Sequence, residues 1–159
     1  MAIEIIGGDA RRAGFQGCLA SATETAIGSG LDLPDAAVAT TSGGIIFRYA
    51  VTDSTAGTQL PEENRTCGSL QRLYLKTSTY ANCSNGENLC LNGQSILNNA
   101  QITNIWFAIP NGNNTTWTLN PSNAELAAAR AVRIALTIAD PSQNISRSFT
   151  GTYELRNRL

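Results

Sequence analysis

A chain of 159 residues is long enough for one domain with a sizeable core, and 42% apolar against 14% charged residues excludes a highly charged, disordered chain. A formal charge of −1 without any Lys/Arg run leaves no stripe for neutralising phosphates, so nucleic acid is not a favoured partner. Histidine is absent, which removes Ser-His-Asp and Cys-His catalytic pairs and imidazole metal ligands.

In chain order, Ala2 to Cys18 reads as the end of a helix. Ile3, Ile6, Ala10 and Ala13 recur at helical spacing, while Glu4, Asp9, Arg11 and Arg12 lie mostly elsewhere. Gly7 and Gly8 weaken it by ~1 kcal/mol each relative to alanine, and Gly14 and Gly17 are placed to end it. So short a helix is marginal alone, so it is expected to pack on something or to continue a longer helix. Residues 19–43, rich in Ala, Ser, Thr and Gly, read as a long irregular connection with a short helical turn.

From residue 44 the period changes to two. Ile45, Phe47, Tyr49 and Val51 form one apolar face of a strand, and Leu70 to Lys76 alternates again. Ile102 to Ile109 is a third strand, ended by Pro110 and the turn Asn111-Gly112, with Thr115 to Leu119 as a short return strand. Glu125 to Ala131 carries a weak helical signal and reads equally as a loop leading into the next strand. Val132, Ile134, Leu136 and Ile138 give the cleanest alternation, answered by Phe149, Gly151, Tyr153 and Leu155, with Asp140 to Asn144 as the hairpin loop. The predicted fold class is α+β: one globular domain over 1–159, with an N-terminal helix (1–17) covering one face of a mainly antiparallel, sheet-rich part (44–159).

The four cysteines, Cys18, Cys67, Cys83 and Cys90, lack CxxC spacing, which argues against a zinc ribbon or a thioredoxin motif. Cys83 and Cys90 bracket a turn-rich polar loop that a bridge would close, for ~2.5 kcal/mol in the chain-entropy model. By elimination Cys18 would pair with Cys67, although three connectivities are open, as is a set of four reduced thiols. The polar surroundings of Cys67, Cys83 and Cys90 favour disulfides and an oxidising compartment. No apolar run approaches the ~20 residues that span a bilayer and no signal peptide is visible. For an exported protein this leads to the expectation that a leader or anchor was removed ahead of this chain.

Two segments carry a family likeness. Asp9-Ala-Arg-Arg-Ala-Gly-Phe-Gln-Gly-Cys18 resembles the D-x-R-x-A-G-[FY]-x-G-C stretch of PilW-type minor pilins of type IV pili. Val132-Arg-Ile-Ala-Leu136, followed by Arg147 to Arg158, resembles the same family's ending, with Tyr153 where its pattern prefers a β-branched residue. Both lie in the right order at the right ends and together cover about a quarter of the chain. The apolar N-terminal helix of pilins is absent, and Glu4 is not its glutamate.

The resemblance implies a pilin-like fold in which residues 1–17 are the second half of the long pilin helix. It also implies a non-covalent role in pilus assembly and priming at or near the tip, supporting adhesion, twitching or DNA uptake. The implied partners are other minor pilins and the major pilin, with the membrane reached only through the missing helix. The implied location is an inner-membrane anchor with a periplasmic head, then the extracellular filament. A J-type pseudopilin of type II secretion is the near alternative; a secreted, adhesin-like binding module is the one from another class.

Asp9, Arg11, Arg12, Gly14, Phe15 and Gly17 are the motif residues, and with Arg156 and Arg158 they are candidate subunit contacts. Against that stand plainer readings: Arg11 and Arg12 on a solvated helix face or pairing with Asp9, and Arg156 and Arg158 on one face of a terminal strand. Trp106 and Trp117 read as core or sheet-face aromatics, with a sugar-stacking pair as the alternative. The loop from Cys83 to Cys90 and the polar segment Asn111 to Thr116 are candidates for exposed contact surface. The Asn-x-Ser/Thr sites reflect an Asn/Thr-rich surface. The acids Asp9, Glu24, Asp32, Asp35, Asp53, Glu62, Glu63, Glu87, Glu125, Asp140 and Glu154 form no compact motif, so no catalytic, metal or cofactor site is expected and a carboxylate-site enzyme ranks last.

Overall fold

The computed structural model describes residues 2–19, 36–60, 64–66, 69, 71–84 and 86–155. It is mostly antiparallel sheet with a short N-terminal helix, in keeping with α+β. Helix α1 spans Ala2–Arg12. Strands β1 (Cys18–Leu19), β2 (Val38–Thr41), β3 (Gly44–Val51), β4 (Asn64–Arg65) and β5 (Tyr74–Asn82) follow, then β6 (Leu89–Leu91), β7 (Gln94–Leu97), β8 (Ala100–Asn111) and β9 (Asn114–Thr118). Helix α2 (Asn123–Ala128) precedes the long hairpin of β10 (Ala131–Asp140) and β11 (Ile145–Glu154). The sheets have the orders β1-β4, β11-β10-β8-β9 and β2-β3-β5-β6-β7.

One core joins α1, α2 and the inner faces of the two larger sheets. Ile6 and Ala10 from α1 meet Phe47, Tyr80, Phe107, Val132 and Ile134, all fully buried. Each such large apolar side chain contributes ~1.5–3 kcal/mol against exposure. A smaller cluster, Ala50, Leu60, Leu73 and Leu75 with Phe15 against it, covers part of the other face of the β3–β5 pair. Asn82 ties the larger sheets together: its amide donates to the Ile102 carbonyl at 3.1 Å and its carbonyl accepts from the Ile102 N–H at 2.7 Å.

Several expectations shift. The helix ends at Arg12 rather than running to 17, because Gly14 takes a left-handed φ of 83° and its N–H bonds the Arg48 carbonyl of β3. The strand expected over Leu70 to Lys76 is β5, beginning at Tyr74 and running to Asn82. Its second half was hidden because Ser78, a polar residue, is one of the buried positions. Residues 38–41, expected in the irregular connection, hairpin with β3.

Strand β8 passes through Pro110, since β10 pairs only as far as Ala108 and just β9 remains alongside. Helix α2 starts from a Ser122–Glu125 capping box and stops at Ala128. The Cys83–Cys90 bridge is present, with Cα atoms 5.2 Å apart. Cys90, read as polar-surrounded, is a buried member of β6 next to fully buried Leu89. Cys67, Arg156 and Arg158 lie outside the described residues, as does the Cys18 side chain; the Cys18 backbone pairs with Arg65.

Candidate functional site: the helix-to-sheet junction

The Asp9 to Gly17 segment converges on one place, where α1 hands the chain to the sheet. Helical spacing puts Asp9 on the side of α1 facing the β3–β5 pair, and it is buried. A carboxylate is costly to bury without donors. Tyr49 of β3 donates to Oδ1 at 2.5 Å and Tyr80 of β5 donates to Oδ2 at 2.7 Å, so both oxygens are satisfied by fully buried tyrosines. Ser78 extends the network to the Tyr49 oxygen. Burial, then the hydrogen bond to Asp9, pushes the Tyr49 hydroxyl up to about 12, and the same causes push Tyr80 further in that direction.

The two arginines rest on aromatic faces, Arg12 on a tyrosine that binds this carboxylate and Arg11 on one that does not. The Arg12 guanidinium lies 5.3 Å from the Tyr49 ring centre and that of Arg11 5.6 Å from the Tyr153 ring of β11. Arg12 is exposed, in keeping with a solvated helix face, and Arg11 is half-buried. Tyr153 in turn donates to the Ile3 carbonyl at 2.7 Å. Gly7 lets that ring lie against the helix, because a Cβ there would stand 2.2 Å from Tyr153 Cε1.

Beyond the helix, Phe15 accepts from the Ala50 N–H through its carbonyl at 2.7 Å, and Gly17 has a φ of 86°. Residues 14 and 15 thus add backbone bonds beside β3. Every residue of the motif from Asp9 to Phe15 that was singled out is at this junction. Tyr49, Tyr80, Tyr153 and Ser78 complete it and were missed as partners. Alternation did place Tyr49 on an apolar face, but nothing local signals that its hydroxyl meets a residue 40 positions away.

The other candidates fall elsewhere. Trp106 and Trp117 are half-buried on the sheet's outer side, and the Arg133 guanidinium sits 4.1 Å over the Trp117 ring, so that face is occupied. Asn111 to Thr116 is an exposed hairpin tip. The loop after Cys83 is exposed at Ser84, Gly86 and Glu87, but it closes on the core through Leu89. What the junction can do is mechanical: it couples the helix to β3 and β5 through buried bonds to the Asp9 carboxyl and to β11 through the bond from Tyr153 to the Ile3 carbonyl. No family model, no curated protein and no solved structure matches this chain.

Proposed function

We propose that this chain is the head of a filament subunit, a minor pilin of the PilW type, anchored in the inner membrane before assembly and exposed on the pilus afterwards. It works without chemistry, by holding its helix and offering its head to other pilins and the major pilin, and so helps to prime the filament. The supporting observation is the fit between the Asp9 to Gly17 motif and its surroundings. A subunit held in a filament by its helix must pass load from helix to head. Asp9, clamped by Tyr49 and Tyr80, and the Arg11–Tyr153 stack suit that task.

The test is the N-terminus and mass of the native protein from membranes and from sheared surface filaments, with pilus counts in cells lacking the gene. A processed N-terminus on a long apolar segment, filament-borne protein and fewer pili are expected. A native chain beginning near Ile3, soluble and without effect on pilus number, would sink the reading.

A further inference from the structure

Among the described residues strand β11 is an edge strand, and an unusual one for this molecule. The other outer strands of the two larger sheets are short: β9 has five residues, β2 four and β7 four, against ten in β11. Short edges are a common defence against pairing with other chains; a long open one is not. Of the other defences β11 carries two charges, Arg147 and Glu154, and the packing of α1 against Tyr153 near its C-terminal end. Its sequence, ISRSFTGTYE, has no proline and no lysine, and its ten-residue register with β10 runs without a bulge.

Its backbone bonds can be assigned by alternation. The Leu155 N–H donates to the Arg130 carbonyl at 2.8 Å, on the β10 side. In an antiparallel strand every second residue then turns both backbone groups the other way. Ser146, Ser148, Thr150 and Thr152 therefore present N–H and C=O groups outward, and among the described residues no strand lies on that side. Phe149, 46% exposed, and Ile145, 42% exposed, lie on the face that β11 shares with Tyr153. They line a shallow groove of about 220 Å³ with Ile138 and Arg147.

We infer that β11 is an interaction surface for a second copy of the chain, the two β11 strands pairing antiparallel about a two-fold axis at Thr150. The occupant follows from length and charge. Among the described edges of the larger sheets only another β11 matches ten residues, and a two-fold pairing closes both long edges at once, where pairing β11 to a short strand would leave one exposed. With Thr150 opposite Thr150, Ser148 meets Thr152 and Ser146 meets Glu154. On the other face Phe149 meets Gly151 and Arg147 meets Tyr153. The strand's only charges, Arg147 and Glu154, each meet a residue of other character, so no like charges oppose. Each exposed Phe149 comes up beside the partner's Tyr153, whose ring covers Gly151. The pairing does not rest on the pilin reading, since it is a property of the isolated chain.

The experiment is sedimentation equilibrium of the chain from about 10 μM to about 1 mM. A concentration-dependent dimer is expected. The double variant Ser148→Lys/Thr152→Lys places lysines opposite each other in this register, and should raise the dimer Kd about tenfold or more. Ser148→Lys/Thr152→Glu places opposite charges there and should restore the Kd to within about threefold. Both variants keep the backbone bonds to β10 and lose the side-chain bonds of Ser148 with Thr137 and of Thr152 with Arg133, and circular dichroism verifies that each is folded. Thr150→Cys should cross-link copy to copy on mild oxidation, while Thr116→Cys, on the β8–β9 tip, should not. A chain that stays monomeric throughout the range, Lys/Lys and Lys/Glu variants that weaken the dimer equally, or cross-linking through position 116 in place of 150 would each overturn the inference. So would a monomer whose β11 pairs only with an extended peptide of another protein.

Discussion

Gly7 of α1 and Tyr153 of β11 share one van der Waals surface: the ring of Tyr153 occupies the space a Cβ on Gly7 would need, at 2.2 Å. The ring also bonds the Ile3 carbonyl through its hydroxyl and carries Arg11 on its face. Helix and edge strand are thus locked together by a residue that helix propensity alone counts as a defect.

Replacing Gly7 by alanine sets two effects against each other. Propensity favours the change by ~1 kcal/mol, whereas overpacking a well-filled contact costs ~1–3 kcal/mol. Because Tyr153 is buried and tied at its hydroxyl, the steric cost wins. Gly7→Ala is expected to destabilise by ~1–2 kcal/mol in urea melts, and Gly7→Ala in a Tyr153→Leu background is expected to be neutral or stabilising. A destabilisation of the same size in both backgrounds would refute the contact.

Asp9 is the acceptor for two buried hydroxyls. Asp9→Ala should cost ~3 kcal/mol, since it strips the partner from Tyr49 and Tyr80 together. Asp9→Asn, which keeps one acceptor and adds a donor, should cost less. Chemical denaturation of the two variants checks the order; equal and small losses would contradict the network.

The same network makes a pH prediction. In the unfolded chain tyrosine titrates near its ordinary value of 10, while burial and Asp9 hold the Tyr49 hydroxyl up at about 12 in the fold. Below pH 10 both states keep the proton and stability is intact. As pH rises from 10 towards 12 the unfolded state loses it first and binds fewer protons than the native state, so stability falls. Thermal melts should show Tm dropping across that window, with a smaller drop in Tyr49→Phe. A flat profile would show that these hydroxyls are not buried against a carboxylate.

The Cys83–Cys90 bridge closes a seven-residue separation at the β5–β6 turn, where Cys83 N–H also bonds the Asn88 carbonyl at 2.8 Å. Double replacement by serine should cost ~2–3 kcal/mol, and Cys90→Ser alone should cost more than Cys83→Ser, because Cys90 is the buried partner. Melts of the three variants measure this. Equal single losses would argue against the asymmetry.

Much of the architecture was legible in the residues. Val132, Ile134 and Leu136 alternate because one face of β10 is buried, and the structure buries all three. The turn signals at Asn111-Gly112 and Asp140 to Asn144 mark real hairpins. The β6–β7 hairpin was not legible, because Gln94 and Ser95 are exposed and leave no apolar alternation to read. Ser78 hid half of β5 for the opposite reason, a polar side chain spent on a buried partner.

The sequence by itself determined which segments could be helix and strand and that Asp9, Arg11 and Arg12 stand together, since periodicity and turn chemistry are local properties. Only the tertiary structure decided what those residues meet. Tyr80 lies 71 positions from Asp9 and the Ile3 carbonyl 150 from Tyr153, distances at which hydrogen bonds leave no local trace. Whether a glycine weakens a helix or seats a ring, and whether a strand ends up central or on an open edge, depends on sheet order, and sheet order comes from packing the whole core at once.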